Sequence, residues 1–337
     1  MINILVTGGS GTVGSELLEL LIRNPDYAVT AFSHETSRSR RFFKRFRGKL
    51  EVVFGDIAQP DEIAKVCHRK DFVMHLAAII PPLADRNPEA TIRVNVDGTR
   101  NLIQALQKYS PEAFLLHASS VSVYGDRLSD PGIRTTDPLT PSEGDVYGQT
   151  KYEAEKLVQV SSLAWSIFRL SAIMGANNHK ISGLMFHMPL NTPIEITTPL
   201  DTARAFVNAL DQKEMIRGRI FNLGGGASCR IVFRDLLSRS FDIFGLGALD
   251  FPEKAFAEKN FHCGLYSDGD DLEEILHFRN DDLDAYFRIV RDSVRPGLKA
   301  LAVLFGYPVK KYLLRLSEPY KAFTSGDPAG MKRWFVQ

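Results

Sequence analysis

The chain has 337 residues, and 41 Lys and Arg against 40 Asp and Glu give a formal net charge of +1. Hydrophobic residues make up 44% and charged residues 24%, which excludes a disordered chain, a collagen-like repeat and a disulfide scaffold. Balanced charge argues against a protein that coats nucleic acid, and the length allows one large domain or two unequal ones. Residues 2–7 form a short apolar run followed by Gly8-Gly9-Ser10-Gly11, which predicts a buried strand entering a tight turn. Val13, Leu17, Leu18 and Leu21 then recur at helical spacing until Asn24-Pro25 stops the helix. Further strands are expected at 28–32, 52–54, 72–76, 113–117 and 165–170, and helices at 61–68, 88–108 and 147–160.

Apolar strands separated by helices predict a parallel sheet covered on both faces, with ligands at the carboxyl ends of the strands. The glycine and polar signals lie at those ends, after Thr7, Phe54, Leu76 and His117. The alternation breaks down after Leu170. A helix at about 202–210 and a strand at 219–223 read as a return to the sheet. The expected fold is α/β, with residues 1–170 and about 197–225 forming the sheet domain. Residues 171–196 and 226–294 form a smaller split substrate domain, and 295–337 a basic amphipathic extension. No internal repeat or low-complexity linker is visible. Cys67, Cys229 and Cys263 have no metal-ligand spacing, so reduced thiols and no metal are expected. The N-terminus lacks a cationic leader and no apolar run reaches the roughly 18–20 residues of a membrane span. These features together point to a cytoplasmic setting.

Thr7-Gly8-Gly9-Ser10-Gly11-Thr12-Val13-Gly14 places glycines between strand and helix in the manner of a dinucleotide-binding turn. Gly8 permits the tight turn, Gly11 admits a pyrophosphate, and Gly14 allows the helix to pack closely on the strand. Thr12 and Val13 open the helix, whose free amides and positive dipole end suit that anion. This makes the sheet a Rossmann-type, doubly wound one. The chain here resembles the extended short-chain dehydrogenase/reductase family, also called the NAD-dependent epimerase/dehydratase family, over roughly residues 1–225. The resemblance implies that Asp56 and Ile57 lie at the adenine and that Leu76, Ala77 and Ala78 run along the nicotinamide ribose. It gives Asn95 a structural or cofactor-supporting role and puts Arg169 near the nicotinamide, where a buried salt bridge explains it equally well.

The end of the second strand departs from the NAD pattern, in which a carboxylate binds the ribose hydroxyls. Here Phe32 is followed by Ser33-His34, and the first acid is Glu35. Arg38, Arg40, Arg41, Lys44, Arg45, Arg47 and Lys49 follow with no acid among them. Ser33 and Arg38 are suited to a ribose 2′-phosphate, which favours NADP, with NAD as the alternative; most of the other cations read as a solvated helix face.

Tyr147 and Lys151 stand at i and i+4 on one helix face. A phenol with an ordinary pKa near 10 is a poor base, and a neighbouring ammonium together with a cationic nicotinamide favours the phenolate. The family's catalytic Ser or Thr lies four residues before the Tyr of a Val-Tyr-Gly element, which selects Ser120, with Ser122 as its rival. Ser122, Tyr124 and Arg230 are expected to meet substrate, with packing equally open for Tyr124. Ser120, Tyr147 and Lys151 around a nicotinamide imply an NAD(P)-dependent oxidoreductase or epimerase acting at a carbinol or carbonyl carbon. A nucleotide sugar is one candidate substrate. Val121 and Ser122 stand where the family's dehydratases and decarboxylases carry an acid, which disfavours elimination. The alternative is an NADP-binding regulatory protein on the same fold without turnover.

Eight acids between Asp268 and Asp284 lack a calcium-loop pattern and read as a solvated surface. Residues 295–337 hold eight Lys or Arg and two acids, interleaved with Leu, Phe and Tyr. Packing on the body or a partner subunit is favoured for this extension over contact with an anionic membrane surface. The protein is expected to be a monomer or homodimer that takes a small-molecule substrate and no nucleic acid.

Overall fold

A computed structural model describes residues 1–176 and 181–336. The strands are β1 (Ile2–Thr7), β2 (Tyr27–Ser33), β3 (Glu51–Phe54), β4 (Phe72–His75), β5 (Phe114–Ser120), β6 (Gly132–Ile133), β7 (Ala164–Leu170), β8 (Ala172–Ile173), β9 (Pro193–Thr197), β10 (Arg219–Leu223), β11 (Arg230–Val232) and β12 (Leu265–Tyr266). Seven of them form one sheet in the order β10-β7-β5-β4-β1-β2-β3, with every neighbouring pair parallel. The order reverses between β1 and β4, so the carboxyl ends of those strands border the crevice where such sheets bind ligands. The Rossmann-type expectation holds. Each strand carries apolar residues on both faces, and helices cover both. Leu17, Leu18 and Leu21 of the helix Thr12–Leu21 are fully buried, and each such leucine contributes roughly 1.5–3 kcal/mol of burial.

A second core gathers Met174, Phe186, Ile194, Ile196, Phe233 and Phe241 beneath the small sheet β11-β9-β8. Residues 177–180 of the expected 171–196 segment lie outside the described residues. Three expectations are corrected. The stretch 88–108 is not one uniform helix: a π-helical segment, Arg93–Asp97, separates Pro88–Ile92 from Gly98–Tyr109. Residues 226–294 do not all belong to the second core, because Leu272, Leu276 and Phe278 pack with Phe206 and Phe221 in the core of the large sheet. Nor is the acidic stretch simply solvated. The Asp268 carboxylate accepts from the Thr135 amide at 2.6 Å and from Asn222 Nδ2 at 2.8 Å, Glu273 caps the Phe278 and Arg279 amides, and Asp281 accepts from Thr198 Oγ1.

The extension folds into four short helices, Pro296–Leu304, Gly306–Arg315, Glu318–Ser325 and Pro328–Trp334. Leu313, Ala322, Trp334 and Phe335 are buried. Cys67, Cys229 and Cys263 are buried free thiols. Among the described residues, no helix is long and apolar enough to cross a membrane, and no group of three His, Cys, Asp or Glu side chains stands ready for a metal ion.

Candidate active site

The turn after β1 has the geometry its glycines suggest. Gly8 adopts φ +77°, and a Cβ there would lie 2.7 Å from the Ala77 amide nitrogen. A Cβ on Gly14 would run into the Gly8 carbonyl oxygen, so only glycine lets the helix start this close to the strand. Gly11 is exposed and caps the helix with no side chain on the amides of Thr12 and Val13. Open backbone donors at a ten-residue helix N-terminus, next to a bare backbone surface, fit a dinucleotide pyrophosphate.

At the end of β2, Ser33 is buried and its hydroxyl faces Ser10 Oγ at 3.5 Å. Glu35 is held in an ion pair by Arg40. Arg38 stands exposed in the first turn of the helix Ser37–Phe43, whose Thr36 and Ser39 form a capping box. Arg45 spreads over the Phe42 and Phe46 rings at 4.3 and 4.8 Å, as a solvated helix face would have it. Asp56 folds back on its own turn, accepting from the Ala58 amide at 3.0 Å with Arg93 3.4 Å away. Ile57 is buried in the core.

Leu76, Ala77 and Ala78 leave β4 directly beside the glycine turn, and the Ala77 amide donates to Thr7 Oγ1 at 3.2 Å. Asn95 clamps this segment: its Oδ1 accepts from the Ile79 amide at 2.7 Å, and its Nδ2 donates to the Ile79 carbonyl and to Thr150 Oγ1, both at 3.0 Å. With both ends of its amide engaged, Asn95 positions the residues after β4 and the helix Val146–Gln159 relative to each other. The π-helical segment is what aims it there.

Ser120 is the last residue of β5; its hydroxyl accepts from the Ser122 amide at 3.2 Å and faces the Tyr147 phenol. Tyr147 lies in the first turn of Val146–Gln159, whose N-terminus is capped by Asp145 accepting from the Gly148 amide at 2.9 Å. Burial pushes the Tyr147 phenol up to about 12, with the Ser120 hydroxyl acting the other way. Lys151, only 4% exposed, donates from Nζ to the Ala118 carbonyl at 2.7 Å, and Nζ lies 6.0 Å from the centre of the Tyr147 ring. Burial draws its ammonium down to about 8, opposed by Glu155. Ser120, Tyr147 and Lys151 therefore come together at the carboxyl end of β5, three strands along the sheet from β2.

Beneath them lies the buried salt bridge offered for Arg169, within a network whose other members the sequence did not announce. Glu155 and Arg169 form a fully buried pair at 2.8 Å. Ser119 Oγ donates to Glu155, and Arg169 Nη1 donates to Tyr124 Oη at 2.7 Å and to the Thr135 carbonyl at 3.1 Å. Tyr124 in turn donates to Asn222 Oδ1 at 2.8 Å. Glu155 follows Lys151 at i+4 on the same helix face, which was the one available sequence signal. His75, bonded to Thr7 and Thr99, and His117 lie side by side below, and burial pulls both imidazoles down, His75 to about 3. Both are neutral at physiological pH.

Of the three expected substrate residues, Tyr124 is corrected. Tyr124 is 1% exposed with its hydroxyl consumed by Arg169 and Asn222, so it is a structural member of the network. Ser122 is wholly buried, and its hydroxyl has no hydrogen-bond partner among the described residues. Arg230 is tied to the buried Glu195 at 2.9 Å and to the Tyr266 carbonyl at 2.7 Å; it braces the small sheet against β12.

Comparison with known proteins agrees with this architecture. The sequence profile of the NAD dependent epimerase/dehydratase family matches residues 4–224. A dTDP-glucose 4,6-dehydratase of Mycobacterium tuberculosis is 29% identical over 205 residues, 60% of this chain and 60% of that protein. A 3-beta-hydroxysteroid dehydrogenase of Mycolicibacterium neoaurum is 33% identical over 160 residues, 46% of this chain and 42% of its own length. The matched stretch thus spans about 60% or less of these two relatives. The crystal structure of a UDP-glucuronic acid 4-epimerase from Bacillus cereus, with UDP-glucuronic acid and NAD, superposes with a TM-score of 0.72 at 22% identity, covering 89% of this chain and 100% of that one.

Proposed function

The chain belongs to the NAD dependent epimerase/dehydratase family, and we propose that within it the protein is an NAD(P)-dependent oxidoreductase or epimerase acting at a carbinol or carbonyl carbon. The observation that carries this reading is the grouping of Ser120, at the end of β5, with Tyr147 and the buried Lys151 ammonium, whose Nζ is fixed on the Ala118 carbonyl 6.0 Å from the Tyr147 ring. A bound nicotinamide dinucleotide supplies the hydride acceptor and, when oxidised, a positive charge. Gly8, Gly11, Thr12, Val13 and the segment Leu76-Ala77-Ala78 would hold it. Ser120 Oγ hydrogen-bonds the substrate oxygen. Tyr147 Oη takes the substrate hydroxyl proton during oxidation and returns it during reduction. Lys151, fixed on the Ala118 carbonyl, keeps a positive charge near the phenol and, together with the charge of an oxidised nicotinamide, would work against the burial that holds the phenol protonated. Val121 and Ser122 supply no carboxylate for elimination, which supports redox or epimerisation chemistry over dehydration.

NADP is the proposed form of the cofactor. Support comes from Ser33 at the end of β2, the neutralisation of Glu35 by Arg40, and the free approach to Arg38. The substrate proposed for first trial is a nucleotide sugar, the class that two of the similar proteins are named for. The test is incubation with UDP-, GDP- and dTDP-sugars and with small ketones, following both cofactor oxidation and product epimers. Turnover of any member supports the assignment. Tight dinucleotide binding with no turnover across the panel would favour a regulatory protein instead. A parallel fluorescence titration should give tighter binding of NADPH than of NADH; the reverse order refutes the role given to Ser33 and Arg38.

A further inference from the structure

The helix Pro296–Leu304 contradicts the usual distribution of apolar residues. None of its nine residues is buried. Leu298, Leu301, Leu304 and Phe305 are 60%, 51%, 76% and 54% exposed. At about 100° per residue these four fall within an arc of roughly 120°. On the opposite side, Ala302 packs on the second core, and Lys299 and Val303 lie against Gly245. The apolar arc therefore faces outward. On the next helix Tyr307 and Tyr312 are 67% and 61% exposed.

This surface does not belong to a frayed tail. Val309, Leu313 and Leu314 of Gly306–Arg315 pack on the second core, and the Ser317 hydroxyl donates to the Ala255 carbonyl at 2.7 Å. The two helices that follow bury Ala322 and Trp334 against Ala257. The ridge is thus held at a fixed position on the protein. Its charge is one-sided: residues 293–317 contain Arg295, Lys299, Lys310, Lys311 and Arg315 and no acid. Lys310 is taken up by Asp250, Lys299 is turned toward Gly245, and Arg295, Lys311 and Arg315 are exposed along the same stretch of chain. Lys311 lies 4.8 Å from the centre of the Tyr307 ring.

We propose that this ridge is a monotopic docking surface for an anionic lipid bilayer. Leu298, Leu301, Leu304 and Phe305 enter the acyl boundary, and Arg295, Lys311 and Arg315 pair with anionic headgroups. Charge complementarity favours this occupant over a second copy of the chain, which would bring the same acid-free, cationic stretch against this one. The inference is independent of the catalytic reading, since none of these residues belongs to the proposed site.

Flotation of the full chain with vesicles tests it. Vesicles of an equimolar phosphatidylcholine and phosphatidylglycerol mixture should carry the protein, and vesicles of phosphatidylcholine alone should carry about tenfold less. The double variant Leu301→Asp/Leu304→Asp alters exposed positions only and should lose vesicle binding by about tenfold or more, with dinucleotide binding and thermal unfolding unchanged. Lys311→Glu/Arg315→Glu should weaken binding less, and added salt should weaken binding of the wild type. Absence of binding to the anionic vesicles, or equal binding by the leucine variant, overturns the proposal. So does a concentration-dependent dimer in sedimentation that the leucine variant abolishes while vesicles bind neither protein.

Discussion

The helix Val146–Gln159 turns Thr150, Lys151 and Glu155 into the protein, whereas Pro296–Leu304 buries nothing and turns its leucines outward. The helices that cover the large sheet turn leucines inside, as Leu17, Leu18 and Leu21 do on the first helix. Burying an ammonium or carboxylate costs several kcal/mol unless it is paired and hydrogen-bonded. The first helix of this pair meets that requirement with Ala118, Ser119 and Arg169. Exposed leucines cost little in a monomer, but a contiguous ridge of them is uncommon and marks a contact surface. The lesson is that departures from the hydrophobic pattern run in both directions. Polar groups turned inward mark chemistry, and apolar groups turned outward mark a partner.

Breaking the inward side of this contrast should have the largest effect on stability. Arg169→Met leaves Glu155 buried and uncompensated, and should destabilise the fold by about 3–5 kcal/mol in urea unfolding. A loss below about 1 kcal/mol would mean that the pair is not sealed from water. Lys151 should show itself in the pH dependence of stability. Its ammonium is drawn from an ordinary 10.5 down to about 8 by burial. Below that value both folded and unfolded chains carry the proton; above it, up to about 10.5, only the unfolded chain does. Stability should therefore rise with pH across this window, by about 1–3 kcal/mol. Lys151→Met should remove that rise, and an unchanged slope would contradict the buried charge. Asn95→Ala should cost about 1–3 kcal/mol by orphaning the Ile79 amide and carbonyl. It should also weaken dinucleotide binding, measured by fluorescence titration, because the segment after β4 loses its clamp. Unaltered binding would show that Asn95 serves the fold alone.

The sheet was legible because each strand is a local apolar run and each helix a local period. The glycine turn was legible for the same reason: Gly8, Gly11 and Gly14 act within eight residues. Tyr147 and Lys151 share one helix turn and could be paired by spacing. The network around Arg169 was not legible. Tyr124, Thr135, Glu155 and Asn222 are distant in sequence and meet only after the sheet is assembled, so Tyr124 was expected at the substrate although its hydroxyl is spent inside. The acids at 268–284 misled in a similar way, since a carboxylate that caps a distant amide has the same sequence signature as one in solvent. Asn95 lies on a helix that reads as uniform. Its aim depends on the π-helical segment and on Ile79, sixteen positions away.

The measurement that bears most directly on the inward-facing helix is paired turnover and dinucleotide binding for Tyr147→Phe, using whichever substrate the panel identifies. The substitution removes one oxygen and leaves the ring in place. Turnover should fall by about 10²–10⁴-fold, with dinucleotide affinity within about twofold of wild type. Wild-type turnover in that variant would contradict the assignment of Tyr147 as the proton-transferring group.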